Sequence, residues 1–313
     1  MFYIAHRLFS AHDRALAADL AERLARKTGA ERVFLPFCDT DEEELVAEVK
    51  GRRLFELDRA RLGRLDAMVA LLHGPSLDDG VCMEIGYAAA SGVPVVVVTT
   101  DFQTYSLTEQ GPMLEFPDPL IQALAARIVR VPRLGPSPGG QVRSRHAEFQ
   151  SRNLSQVDAA LDAAVEELLT VPTGHCQPAR GPGTESVYVE GSPYAAWGRD
   201  HLAEACVDAG RTVLLPRRFT AGDPVAGALA DLSAVWTADR LLVDVSGPET
   251  PPGTALLIGA AAAADLQVAA FQARPTYTHA EGREPNWRNL MIQYACTTLL
   301  TDIEAVRAWL ATQ

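Results

Sequence analysis

The sequence predicts an α/β fold made of two tandem doubly wound parallel-sheet domains, of the flavodoxin-like or Rossmann-like kind. The first observation is that short, uninterrupted apolar runs alternate with helix-prone stretches along the chain, as in the Val-rich run 93–98. Such runs, bounded by Gly and Pro, are typical of strands that are buried on both faces of a parallel sheet. The second observation is that the later half of the 313-residue chain repeats the earlier half.

The first half divides into five strands and five helix-prone segments. Ser10 and Asp13 can cap the first helix, and the Leu and Ala residues that follow recur at helical spacing. A charged stretch at 40–65 contains a spaced set of leucines and a valine that predicts one buried face. The predicted segments are, in order, strand 2–5, helix 10–27, strand 32–36, helix 40–65, strand, loop, helix and strand within 66–101, helix 119–126, strand 128–131 and helix 154–169.

The internal repeat sets the predicted domain boundaries. The stretch from Gly247 to Gly259 aligns without a gap on the stretch from Gly74 to Gly86, and Asp231 and Asp239 are spaced like Asp58 and Asp66. Further matches are Val187–Val189 with Phe2–Ile4, Arg211–Pro216 with Arg32–Pro36, and Thr301–Leu310 with Leu154–Leu169. The segment 172–186 has the Pro, Gly and polar composition of a linker. We therefore expect domains at 1–171 and 187–313 that arose from one duplicated and fused fold.

The two copies differ in their acidic residues. Asp78, Asp79, Glu84 and Tyr87 of the first copy become Pro251, Pro252, Leu257 and Ala260 in the second. Carboxylates that only capped a helix would be expected to persist, at least in part, in a copy under the same folding constraints. The first copy is therefore expected to contain the chemistry, because its carboxylates follow a strand at the edge where parallel sheets bind ligands.

Composition excludes several classes of protein. A net charge of −12 argues against nucleic acid or an anionic membrane as the main partner. The five cysteines are widely spaced without a CxxC pair, and no His/Cys/Asp cluster has metal-ligand spacing, so we expect no metal and no cofactor. The N-terminal stretch has neither the pattern of a signal peptide nor that of an anchor, so a cytoplasmic location is expected.

Three stretches together resemble the nucleoside 2-deoxyribosyltransferase superfamily, which includes nucleoside 5′-monophosphate N-glycosidases. The first is Asp78-Asp79-Gly80-Val-Cys-Met-Glu84-Ile-Gly86-Tyr87 after a strand. The others are an aromatic-led first strand that runs into Leu8-Phe9-Ser10, and the phrase Phe55-Glu-Leu-Asp58. The resemblance covers residues 1–131 and, in weakened form, 187–312.

The resemblance implies a retaining mechanism in which Glu84 attacks the anomeric carbon and forms a glycosyl ester. It implies that Asp58 contacts the base, although a structural role is equally open because Asp231 persists in the second copy. It also implies that Tyr3 hydrogen-bonds the nucleophile and that Asp78 binds the sugar hydroxyls. The remaining substrate-binding candidates in the first copy are Asp79, Gly80, Arg7, Phe9 and Tyr87.

A segment near the C-terminus links the two halves. Asn289-Leu-Met291 resembles the family's Asn-Leu-Met segment, which in those oligomers reaches into the neighbouring subunit's active site. We therefore expect the second copy to donate Asn289 and Met291 to the first copy's pocket, which makes the chain an intramolecular pseudo-dimer with one nucleoside site. Further homo-oligomerisation stays open.

The expected function is cleavage of the N-glycosidic bond of a (2′-deoxy)nucleoside, with transfer of the sugar to another nucleobase or to water. Asp78 argues for a nucleoside over a 5′-monophosphate, because a carboxylate 4 Å from a phosphate is repelled by about 4 kcal/mol at an effective dielectric near 20. Arg7, near the end of the first strand, argues in the opposite direction, because it could bind a phosphate. The alternatives are a nucleoside 5′-monophosphate N-glycosidase and, from another class, a nucleoside- or nucleotide-binding module without turnover.

Overall fold

The computed structural model describes residues 1–39, 50–74, 76–135, 145–172, 185–194, 196–279 and 284–312. In these ranges the chain forms two five-stranded sheets in which every strand pair is parallel, with helices against both sheets. The predicted fold class is confirmed.

The first half contains five strands in the order β2-β1-β3-β4-β5. Its elements are β1 Phe2–Ala5, α1 Ala11–Thr28, β2 Val33–Phe34, α2 Lys50–Leu62, β3 Ala67–Leu71, α3 Asp79–Ala90, β4 Val95–Thr99, α4 Pro119–Leu124, β5 Arg127–Arg130 and α5 Arg145–Thr170. Every residue of the central strands β3 and β4 is buried, whereas the edge strand β5 is partly exposed. The uninterrupted apolar runs of the sequence therefore mark the middle of the sheet.

The second half repeats this architecture element by element. Its elements are β6 Ser186–Glu190, α6 Ala196–Asp208, β7 Thr212–Leu214, α7 Pro224–Thr237, β8 Arg240–Asp244, α8 Pro252–Ala263, β9 Gln267–Phe271, α9 Leu290–Ala295, β10 Thr298–Leu300 and α10 Ile303–Ala311. Its strand order, β7-β6-β8-β9-β10, is the order of the first sheet. Each strand and each helix of the first half thus has a counterpart whose number is five higher, as β6 is the counterpart of β1.

One predicted segment differs from the observed one, and two lie partly outside the described residues. Helix α5 begins at Arg145 rather than near 154. Its first turns are exposed and its buried face begins only at Ala160, so the apolar pattern of the sequence does not show where the helix begins. Helix α2 accounts for the later part of the predicted helix 40–65, and residues 40–49 lie outside the described part of the chain. Most of the predicted linker, residues 173–184, also lies outside it.

The two halves pack through helices α3 and α8. A Cβ atom built on Gly86 would lie 1.9 Å from the carbonyl oxygen of Leu256, and one built on Gly259 would lie 2.0 Å from that of Met83. These paired contacts are reciprocal, as expected of a self-complementary interface with two-fold symmetry. Two glycines at equivalent positions therefore allow the two backbones to touch.

No helix in the described ranges combines the length and apolar character needed to cross a bilayer.

Candidate active site

A buried tyrosine–glutamate pair lies between β1 and α3. The Tyr3 hydroxyl donates a hydrogen bond of 2.9 Å to Glu84 Oε1, and both side chains are buried. Tyr3 belongs to the apolar strand β1, and Glu84 lies in the second turn of α3. The strand thus holds one oxygen of the carboxylate in a fixed position.

Asp78 fixes the beginning of α3. It is the N-cap residue, and its side chain accepts a hydrogen bond of 2.9 Å from the backbone N–H of Val81. The guanidinium of Arg7 lies 3.5 Å from the other Asp78 oxygen and donates a 2.9 Å hydrogen bond to the carbonyl of Ser76. Asp78 therefore has a structural role in addition to facing the pocket described next.

A cleft at the carboxyl ends of the first sheet's strands contains most of the sequence-predicted residues. The structure brings together Asp58, Asp78, Gly80, Glu84 and Phe9 from the first half with Asn289 and Met291 from the second half. We call this cleft the carboxylate pocket.

The carboxylate pocket raises the pKa of its central acid. Burial raises the pKa of Glu84 well above its ordinary value, and the negative charges of Asp58 and Asp78 raise it further. The hydrogen bond from Tyr3 acts in the opposite direction, because it stabilises the ionised form. An acid with a strongly shifted pKa in a cleft is a candidate catalytic group.

Asn289 reaches the carboxylate pocket from the second half. It caps α9 by accepting a 3.0 Å hydrogen bond from the backbone N–H of Met291, and it lies against Gly80. A Cβ atom on Gly80 would lie 2.3 Å from Asn289 Nδ2, so only glycine lets the asparagine approach α3 this closely. The sequence-predicted Gly80 thus accommodates a residue of the other half.

Four predicted site residues lie outside the lining of the carboxylate pocket: Tyr3, which bonds to Glu84, and the three that follow. Asp79 points toward the second half, where it accepts a 3.1 Å hydrogen bond from the backbone N–H of Thr250; burial raises the pKa of its carboxyl to about 6. Tyr87 is buried and its hydroxyl interacts with Arg59. Arg7 is engaged by Asp78 and Ser76 as described above.

Sequence reasoning missed several residues that line the carboxylate pocket. They are His6, Leu8, Pro36, Val81, Thr278, Asn286, Arg288 and Leu290. His6 is buried, which lowers its pKa, and it directly follows β1, so the rule that ligands meet the carboxyl ends of parallel strands was sufficient to find it. Leu290 lies within the predicted Asn289-Leu-Met291 segment, whereas Thr278, Asn286 and Arg288 had no comparable signal, because an interface between the halves brings them there.

In the second half, Arg218 fills the deep part of the equivalent site. This arginine is fully buried, and its guanidinium donates hydrogen bonds of 2.9 to 3.2 Å to Asp118, Glu190 and Asp231. Asp118 is the N-cap of α4 and thus the counterpart of Asn289, and a Cβ atom on Gly253 would lie 2.0 Å from its carboxylate. We call Arg218, Asp118, Glu190 and Asp231 the Arg218 cluster.

Among the residues that the structure describes, no group of three or more His, Cys, Asp or Glu side chains has the geometry to hold a metal ion.

The fold and the carboxylate pocket define an α/β protein with a buried, tyrosine-bonded carboxylate at its small-molecule cleft. The protein belongs to the nucleoside 2-deoxyribosyltransferase family, whose family model matches residues 2–165, just over half of the chain. The matched range contains Tyr3, Asp58, Asp78 and Glu84. The family resemblance predicted from the first half of the sequence is confirmed. The family is one of glycosyl-transferring enzymes.

Three solved structures show partial likeness. A conserved protein from Enterococcus faecalis V583 is 26% identical, with 49% of this chain and 97% of that chain covered and a TM-score of 0.33. The Vibrio vulnificus NanR protein complexed with ManNAc-6P is 16% identical, with 53% and 49% covered and a TM-score of 0.28. The flavoenzyme NAD(P)H:(acceptor) oxidoreductase FerB from Paracoccus denitrificans is 15% identical, with 53% and 97% covered and a TM-score of 0.21. No curated protein matches the chain.

Proposed function

We propose that this protein cleaves the N-glycosidic bond of a (2′-deoxy)nucleoside through a covalent glycosyl-Glu84 intermediate, and passes the sugar to a second nucleobase or to water. The observation that carries the proposal is the buried Glu84 carboxylate, held by Tyr3 at 2.9 Å in a cleft shared with Asp58 and Asp78. Family membership supports a glycosyl-transferring reaction.

The reaction consists of two displacements at the anomeric carbon. In the first, a Glu84 oxygen bonds to that carbon, the bond to the base nitrogen breaks, and its electron pair leaves with the base. In the second, a nitrogen of the acceptor base or a water oxygen attacks the same carbon, and Glu84 leaves as the carboxylate. Because each step inverts the anomeric centre, the two together retain its configuration.

Asp58 acts as the general acid at the leaving base. It lines the same pocket as Glu84, and its charge is close enough to raise the pKa of Glu84. A carboxylic acid beside the base can hold or deliver the proton that makes the departing nitrogen a better leaving group. Asp58 then takes the proton from the acceptor in the second displacement.

The charges around Asp78 favour a nucleoside over a 5′-monophosphate. Asp78 lines the pocket, whereas Arg7, the cation nearest to it, is engaged by Asp78 itself and by the Ser76 carbonyl. Arg14, in the first turn of α1, donates a hydrogen bond to the Leu8 carbonyl and stacks on Phe37. A phosphate would therefore meet a carboxylate rather than an unengaged guanidinium.

We also infer that residues 187–313 are a degenerate copy that completes the first half's site. The repeated element order and the gapless match around α3 and α8 support a duplicated origin. Asn289 and Met291 line the carboxylate pocket from the second half, as expected of an intramolecular pseudo-dimer. The chain then has one nucleoside site.

The test is incubation with deoxy- and ribonucleosides and their 5′-monophosphates, with and without a second free base, followed by chromatography and intact-mass spectrometry. We expect base release, a glycosyl adduct on the protein, and a loss of at least about 10³-fold in rate for Glu84→Gln. Glu56→Gln is the matched control, because this exposed residue of α2 lies two positions before Asp58. It should retain full activity.

The substrate panel separates the alternatives. A new nucleoside establishes a transferase, whereas free base alone establishes a hydrolase. Activity confined to 5′-monophosphates, and raised by Asp78→Ser, would replace the nucleoside proposal by the nucleotide one. Binding without base release for any substrate would show that the protein is a binding module.

A further inference from the structure

A second cavity lies at the second half's counterpart of the carboxylate pocket. Its wall contains Pro193 and Tyr194 after β6, residues 248–252 before α8, and Pro117 and Asp118 before α4. The equivalent segments of the other half, after β1, before α3 and before α9, line the carboxylate pocket. We call this second cavity the proline pocket.

The proline pocket keeps an exposed aromatic ring where the carboxylate pocket has one. Phe9 is the fourth residue after β1 and Tyr194 the fourth after β6; their exposed fractions are 72% and 85%. Rings that stay this exposed gain little from folding, so their retention at equivalent places favours a role in binding. Five prolines, at 117, 193, 248, 251 and 252, give the rest of the wall flat apolar faces.

The proline pocket has lost the groups that act on a sugar. Pro251 and Leu257 stand where the first half has Asp78 and Glu84, and Leu257 is buried. The Arg218 cluster fills the deeper part of the site, because Arg218 bonds to Asp118 in the pocket wall. The space that remains suits a flat ring without an attached sugar.

A carboxylate in the wall suits a ring with N–H donors. Thr250, which also lines the wall, directs its backbone N–H and its hydroxyl at Asp79. The carboxyl of Glu249 lines the proline pocket and can accept hydrogen bonds from a ligand. The carboxyl disfavours phosphorylated ligands.

We infer that the proline pocket is a second, non-catalytic site for a free purine or pyrimidine base, stacked on Tyr194 and bonded to Glu249. The choice of a base rests on the proposed function, whose reaction releases and accepts free bases. An occupant would touch Ser76 and Leu77, which directly precede Asp78 in the active half. A free base bound in the second half would therefore contact the segment that precedes the N-cap residue of α3.

The experiment titrates the full chain with adenine, hypoxanthine, cytosine or thymine, and with their nucleosides, by calorimetry and saturation-transfer NMR. We expect at least one base to bind at two sites per chain and its nucleoside at one. Tyr194→Ala should weaken one base site by about tenfold or more and leave nucleoside binding unchanged, because base–aromatic stacking contributes about 1–3 kcal/mol. Phe9→Ala should weaken the other base site and the nucleoside site.

Tyr194→Phe is the matched control, because it keeps the ring and should keep the site. Tyr194 makes no side-chain contact that folding depends on, as its exposure shows, so the variants should fold. The inference is overturned if Tyr194→Ala leaves every base isotherm unchanged, or if Tyr194→Phe weakens binding as much as Tyr194→Ala does. Base release is measured separately, so a protein without turnover that still shows Tyr194-dependent binding would contradict only the proposed function.

Discussion

At the same place, one half has a cleft lined by carboxylates and the other has a buried ion cluster. In the first half, Glu84 lies beside Tyr3 and within the field of two other carboxylates, and no buried cation among the described residues bonds to it. In the second half, three carboxylates surround the buried guanidinium of Arg218. The backbone plan is shared, so the difference lies in which charges are compensated.

The two halves differ in how they hold their buried acids. Glu84 has a raised pKa because it is buried, a cost in free energy that proteins tolerate at functional positions. The second half has Leu257 at the position equivalent to Glu84, and its three buried acids surround Arg218. We read the first arrangement as kept for chemistry and the second as kept for stability, and the predictions below test that difference.

The largest expected effect is the loss of Arg218. Arg218→Met removes the one cation of the Arg218 cluster and leaves Asp118, Glu190 and Asp231 buried without it. Breaking a buried ion pair from one side costs about 3–5 kcal/mol, so the free energy of unfolding should fall by at least that much. Chemical denaturation monitored by circular dichroism measures the change.

Arg217→Met is the control for that experiment. The neighbouring Arg217 side chain is exposed, and only its backbone N–H contacts the cluster, at 2.8 Å from Asp231. Its substitution should change stability by less than about 0.5 kcal/mol. Equal losses in the two variants would contradict the view that the cluster holds the second half together.

The second prediction compares the equivalent residues Asp58 and Asp231. Asp58→Asn should lower kcat/KM for base release by about 10²-fold or more, because it removes the acid at the base. Asp231→Asn should lower the Tm, because Asp231 accepts hydrogen bonds from the backbone N–H groups of Arg217 and Arg218 and pairs with the Arg218 side chain. The folded fraction of that variant should react at the normal rate.

Both quantities are measured on both variants. If Asp58→Asn lost stability and kept its activity, the structural role of Asp58 would become the better interpretation. If Asp231→Asn lost activity while fully folded, the second half would contribute more to the reaction than the closing of the pocket.

The sequence was sufficient for residues whose place follows from one strand or helix. Tyr3, Asp78 and Glu84 come together because each lies on or after a strand that ends at the same edge of the sheet. Strand and helix bounds agreed to within a few residues where apolar periodicity was strong, as in β3 and β4. The repeat added the asymmetry between the halves, which no single element shows.

The sequence was insufficient where the place of a residue depends on the packing of the halves. Arg218 lies in a Pro-Arg-Arg-Phe segment that is typical of an exposed loop, since arginine is seldom fully buried unless it is paired. Asp79 and Tyr87 share α3 with Glu84, yet they face Thr250 and Arg59 rather than the carboxylate pocket. Asp118 showed no likeness to Asn289 in sequence, because its equivalence comes from capping α4 as Asn289 caps α9.

The smallest expected effect concerns the two equivalent tyrosines and the pH dependence of the reaction. Glu84 must be ionised to attack, so base release should rise with pH through the raised pKa of this acid. The Tyr3 hydroxyl stabilises the ionised form, so Tyr3→Phe should raise that pKa and move the acidic limb of the pH–rate profile to higher pH. The rate above the limb should fall by about tenfold or less, because the variant removes one hydrogen bond to the nucleophile.

Tyr188→Phe provides the matched control in the second half. Tyr188 is as buried as Tyr3, but its hydroxyl has no hydrogen-bond partner among the described residues, and Leu257 stands where Glu84 would accept one. Removing an unpaired buried hydroxyl should leave the acidic limb in place and leave stability unchanged or slightly higher. A limb that moves equally in both variants would mean that the tyrosines act by shaping the core, and the hydrogen bond to Glu84 would then lose its proposed part in the reaction.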